Sequence, residues 1–131
     1  MDTIKNILNN LPLPKYAYGS IEVESIKLAE SKLALNFASD YKEFVEYVGA
    51  MVYKGHELYG LVSYPSLNVI NNTLLAREKD AAFPQKMYVI SSLHIDDILI
   101  LQNEKGEIFQ YSPLQYSKKI YNSLAEYIVS L

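Results

Sequence analysis

The chain has 131 residues, 50% apolar and 21% charged, with a formal net charge of −3. This suits one folded domain and argues against disorder, and no apolar run approaches the roughly 18 residues of a membrane span. With no cysteine, disulfides, thiolate zinc sites and cysteine nucleophiles are excluded, and the acidic balance disfavours non-specific binding to a phosphate backbone while leaving room for a basic protein partner.

The start, Met1-Asp2-Thr3-Ile4-Lys5-Asn6, lacks an apolar signal core, so a cytoplasmic location is expected. Ile4, Ile7, Leu8 and Leu11 have helical spacing and predict a short helix over 2–10, stopped by Leu11-Pro12-Leu13-Pro14. Tyr16, Tyr18 and Gly19 read as an irregular link, so residues 1–19 read as an N-terminal helical extension of a single domain spanning 1–131. A second helix is predicted over 22–35, with Ile26, Ala29 and Leu33 inward, Glu22 and Glu24 near its positive end, and Lys27 meeting Glu30 on the outside. A third follows, with Ser39 as N-cap, Tyr41, Phe44, Val45 and Val48 on the inner face, Lys42, Glu43 and Glu46 facing away, and Gly49 in a left-handed C-cap.

After Gly49 the period changes. Leu58–Val62 predicts a strand, introduced by Met51-Val52-Tyr53 and a Lys54-Gly55 turn. Thr73–Asp80 predicts one or two helical turns, closed by Pro84. Met87–Ile90 and Ile98–Leu101 predict strands, Asn103-Glu104-Lys105-Gly106 a turn, and Ile108–Tyr111 the returning strand, stopped by Ser112-Pro113. A closing helix carries Leu124, Tyr127, Ile128 and Leu131, with Ile120 one turn earlier and Ser117 or Asn122-Ser123 as alternative starts. Helices, then an antiparallel group of strands, then a helix make an α+β fold.

The stretch from Ala29 to Gly49, with Ser39-Asp40-Tyr41-Lys42-Glu43-Phe44-Val45 at its centre, resembles the signature of the SUKH superfamily, the domains related to the yeast Smi/Knr cell-wall regulator and to bacterial YobK-like proteins. Leu58-Tyr59-Gly60, Thr73, Leu75, Arg77, Pro84, Tyr88-Val89-Ile90, Gly106 and the closing helix extend the likeness over about residues 22 to 129. Ala38 stands where the family usually has proline, and Ser91–Asp97 lacks the glycine that the family often carries in that turn. The resemblance implies an α+β fold with an antiparallel or mixed sheet flanked by helices, and a noncatalytic immunity protein that binds and neutralises a cognate polymorphic toxin. A regulatory or scaffold role is the alternative, and the family has no agreed catalytic residues to carry over.

Read for chemistry, His94, Asp96 and Asp97 are the densest cluster. A strand there would put His94 and Asp96 on one face, as a small metal-dependent hydrolase would require. A polar turn is the plainer reading. Arg77, the one arginine, reads as an ion-pair partner or a ligand clamp. Glycines are too scattered for a phosphate loop, and no cofactor is expected. The 12 tyrosines are the compositional signal. Tyr41, Tyr88, Tyr111 and Tyr127 are expected in the core, and Tyr16, Tyr18, Tyr47, Tyr53, Tyr59, Tyr64 and Tyr116 are candidates for the surface, where rigid rings with polar tips suit protein recognition. Nucleic acid is the less favoured partner, because few basic residues interleave with them. The expected contact face combines Glu43, Glu46, Glu57, Asp96 and Asp97 with Tyr47, Tyr53 and Tyr59.

Overall fold

The computed structural model describes residues 4–113 and 115–131, and among 115–131 the side chains from Ser117 onward. Residues 2 and 3 of the first predicted helix, and the side chain of Tyr116, lie outside the described residues. Helix α1 spans Ile4–Asn9 and buries Ile4 and Leu8 against helices α3 (Ser39–Val48) and α5 (Leu124–Ser130). The link after Pro14 is not irregular: Lys15–Ala17 is strand β1, whose backbone pairs antiparallel with β2 (Met51–Tyr53). A three-residue ladder leaves almost no period to read.

Helix α2 (Val23–Leu33) buries Ile26, Ala29 and Leu33, as its spacing predicts. Its end is built by Ala34, a non-glycine residue at φ 56°, with the Leu35 N–H donating back to the Glu30 carbonyl at 3.2 Å. The expected Lys27–Glu30 pair is replaced by longer-range contacts. The Glu30 carboxylate accepts from the Phe37 N–H at 2.8 Å and faces Lys42 at 3.5 Å. In α3, Tyr41, Phe44, Val45 and Val48 are buried, as expected. Ser39 is not its cap. It is the first helical residue, and Ala38 holds the N-cap without a side-chain bond. Gly49 has positive φ but not the left-handed helical form: at φ 76°, ψ −59° it centres a γ-turn closed by the Ala50 N–H on the Val48 carbonyl at 2.8 Å.

Strands β2 and β3 (His56–Leu58) form a hairpin through Lys54 and Gly55, both at positive φ, as a two-residue turn between twisted strands requires. The predicted strand 58–62 therefore ends early. Beyond Leu58 the chain crosses to the second sheet, where the Tyr59 N–H donates to the Ile90 carbonyl at 2.8 Å. A 3-10 turn (Pro65–Leu67) leads into α4 (Val69–Lys79), which starts earlier than predicted because the Asn68 carboxamide accepts from the N–H groups of Ile70 and Asn71.

The second sheet is an antiparallel meander of β4 (Met87–Ser92), β5 (Leu99–Asn103), β6 (Ile108–Ser112) and β7 (Gln115–Tyr121). Strand β7 replaces the early part of the predicted closing helix. Ser123, one of the two predicted starts, caps α5 by accepting from the Glu126 N–H. The core runs through both sheets and all five helices. At its centre Phe37 meets Tyr88 edge-on, 4.8 Å between ring centroids. One buried polar chain threads it: the Ala38 N–H donates to the Tyr88 hydroxyl, which donates to Gln102 Oε1. Gln102 Nε2 donates to Asp40, whose other oxygen accepts from the Leu124 N–H. Gln102 is fully buried, so these partners meet the demand of its amide.

Candidate functional site

Helix α4 turns Val69, Thr73 and Ala76 inward and packs on β4, where Thr73 Oγ1 accepts from the Val89 N–H at 3.0 Å. That rotation leaves Leu74 and Leu75 outward, 44% and 51% exposed. Two clefts flank this outer face. One, of about 310 Å³, has Leu75, Ala76, Leu99 and Tyr111 in its wall and the carboxylates of Asp80 and Asp97 at its edge. The other, of about 550 Å³, lies between α4 and β3, bounded by Glu57, Tyr59, Leu74, Glu78 and His94. Leu75 and Asn72 border both clefts.

The β4–β5 loop forms one rim. It is closed by the Ile98 N–H on the Ile95 carbonyl and the Leu93 N–H on the Ile98 carbonyl. His94, Asp96 and Asp97 all sit at positive φ, so the turn is built from left-handed residues without glycine, a conformation aspartate tolerates better than most. His94 and Asp96 therefore do not share a strand face. The His94 ring instead lies 2.9 Å from Glu57 Oε1. Among the described residues no group of three His, Asp or Glu side chains is placed to hold a metal ion. On the other rim the Tyr111 hydroxyl donates to Asp80. That bond, with the Ala82 N–H, holds the Asp80 carboxyl below its usual range. Burial, then the hydrogen bond to Asp80 and its charge, push Tyr111 up to about 12.

The family model described as SUKH_5, SMI1-KNR4 cell-wall, matches residues 2–131. The chain belongs to this SUKH family. No curated protein matches it. Among solved structures, a protein from Pseudomonas syringae pv. tomato is similar in fold, with a TM-score of 0.73 and 18% identity over 98% of this chain and 94% of that one.

Within the SUKH domain the sequence-predicted contact residues do not gather on one face. Glu57 and Asp97 border the α4 clefts, and Asp96 is exposed in the same loop as Asp97. Glu43, Glu46 and Tyr47 belong to α3. Glu43 Oε1 accepts from the Ile4 N–H at 3.1 Å, and the Tyr47 hydroxyl donates to Asn9 Oδ1 at 2.8 Å. Both tie down α1, so Glu43 does not simply face away; Glu46 is exposed. Tyr53 and Tyr59 are not the exposed rings expected of them: they are 2% and 3% exposed, and Tyr59 adds only an edge to the cleft between α4 and β3. Burial and the Glu57 charge push the Tyr59 hydroxyl up to about 12. Tyr41, Tyr88, Tyr111 and Tyr127 are buried as expected.

Among the described residues Arg77 has no carboxylate partner. Its guanidinium donates to the Leu33 and Gln85 carbonyls at 2.8 and 3.0 Å, placing positive charge at the negative end of α2. What sequence reasoning missed is the outer face of α4. The signal was present in Leu74-Leu75 beside Glu78, but adjacent leucines in a short helix read equally well as core. No helix of the described residues is long and apolar enough to cross a membrane.

Proposed function

We propose that this SUKH domain is an immunity-type protein that binds a cognate bacterial toxin and neutralises it by occupying it, without catalysing a reaction. The observation that carries this reading is the family match over residues 2–131. The surface agrees with it. Half-exposed leucines on α4 lie between carboxylate-edged clefts, and an apolar centre with a charged rim is how protein interfaces combine affinity with steering. His94 pairs with Glu57, and Arg77 donates to two backbone carbonyls, which supports a structural use for both.

The test is co-expression with the toxin domain encoded beside this chain. The expected result is restored growth and recovery of the two chains as one complex. Continued toxicity with no complex, across the neighbouring toxin domains, would remove the reading.

A further inference from the structure

We propose that the α4 groove is the docking site for a cationic segment of the partner protein, one that seats an apolar side chain beside Leu75 and sets lysine or arginine against the rim. This rests on the toxin-binding reading above. Three observations lead to it.

The first is shape. Leu75 is a ridge shared by both clefts, so a chain laid across α4 meets a pocket on each side. The 310 Å³ cleft has a wall of Ala76, Leu99 and Tyr111, room for an aliphatic or aromatic side chain.

The second is exposure. Leu74 and Leu75 stay half-exposed on the outer side of a helix whose other face is already packed on β4. Side by side, the two leucines offer an apolar strip against which a partner's side chain can lie.

The third is charge, which selects the occupant. Among the described residues that border the two clefts, Glu57, Glu78, Asp80 and Asp97 stand against the one ammonium of Lys79, with Glu57 holding the His94 ring and Asp80 the Tyr111 hydroxyl. That rim repels a phosphate backbone and attracts ammonium or guanidinium heads, whose aliphatic stems lie well along Leu74 and Leu75. The occupant is thus a basic polypeptide segment rather than a nucleic acid.

The experiment titrates the isotopically labelled chain with a short synthetic peptide alternating leucine and arginine, and with its glutamate counterpart, followed by amide chemical shifts. The arginine peptide is expected to give saturable shifts at Asn72, Leu75, Lys79 and Asp97, weakening with added salt, and the glutamate peptide none. Leu75→Gln, and separately Glu78→Gln with Asp97→Asn, each alter exposed side chains and are expected to weaken binding roughly tenfold with melting unchanged. Absence of saturable shifts in the groove, or equal binding of both peptides, overturns the assignment. The same variants are then measured in the toxin complex. A complex that forms with undiminished affinity overturns the groove assignment and leaves the toxin-binding reading standing. Peptide binding in the groove with no toxin captured upholds the groove and removes the toxin.

Discussion

The carbonyl oxygen of Gly49 occupies the volume that a side chain on Gly60 would need. That carbonyl also accepts from the Leu61 N–H at 3.0 Å, so the γ-turn after α3 and the exit from β3 are locked backbone to backbone. Gly60→Ala must push a main chain aside and is expected to cost about 3 kcal/mol or more. Gly55→Ala has open space around it and only a positive φ to bear, at about 1 kcal/mol. Chemical denaturation of both variants checks this, and equal losses would contradict the contact.

Ala38 has φ −64°, an angle that proline adopts without strain. Yet its N–H is in use, donating to the buried Tyr88 hydroxyl at 2.9 Å. A proline here would have no donor to give. Ala38→Pro is therefore expected to destabilise the protein by about 2 kcal/mol, and to cost much less in a Tyr88→Phe background. The two substitutions should be strongly non-additive in a double-mutant cycle of unfolding free energies. Additive losses would show that the bond contributes nothing.

Ala34 closes α2 in the left-handed conformation, with Arg77 and Lys86 near it on the Leu33 and Ala34 carbonyls. Glycine removes the steric cost of that angle. Ala34→Gly should raise stability by about 1 kcal/mol, seen as a higher denaturation midpoint. A lower midpoint would contradict the assignment of the cap.

Asp80 has a depressed pKa, caused first by the Tyr111 hydroxyl and then by the Ala82 N–H. A lowered carboxylate pKa stabilises the folded state in full above the usual aspartate value of about 3.9, and the contribution is lost as pH falls through the folded value. Tyr111→Phe removes the larger cause, so the acid limb of the stability profile should move to higher pH. Glu107, held low by Lys119 and Asn103, is untouched in both proteins. At the other end, Tyr111 is raised to about 12, so its contribution is whole below the usual tyrosine value near 10 and is lost as pH rises through about 12. Unfolding free energy measured against pH for both proteins checks this, and superimposable acid limbs would contradict it.

The helices with strong periods were legible from residues alone. Ile26, Ala29 and Leu33, and likewise Tyr41, Phe44, Val45 and Val48, are buried as their spacing requires. So was the Asn103–Gly106 turn, where the Asn103 carboxamide accepts from the Lys105 and Glu107 N–H groups. The rest depended on partners distant in sequence. Gln115–Tyr121 joins β6 as a strand, although Ile120 continues the apolar spacing of the following helix; ladder pairing overrides so weak a local preference. Helix α4 begins Val69-Ile70-Asn71-Asn72, all weak helix formers, and owes its start to the Asn68 cap. The candidate site was hardest to read. Glu57 and His94 are 37 residues apart and meet only because β3 lies beside β4. The outward direction of Leu74 and Leu75 follows from which face of α4 packs on the sheet.

Binding by occupation differs from catalysis most plainly in stoichiometry. Activity of the cognate toxin should be measured while this chain is added in increasing amounts. A binder leaves residual activity falling in proportion to the chain added and reaching zero near one-to-one, at toxin concentrations well above the dissociation constant. Loss of toxin activity at far smaller amounts would show turnover, and full activity in excess chain would show that this toxin is not its partner; either result contradicts the account.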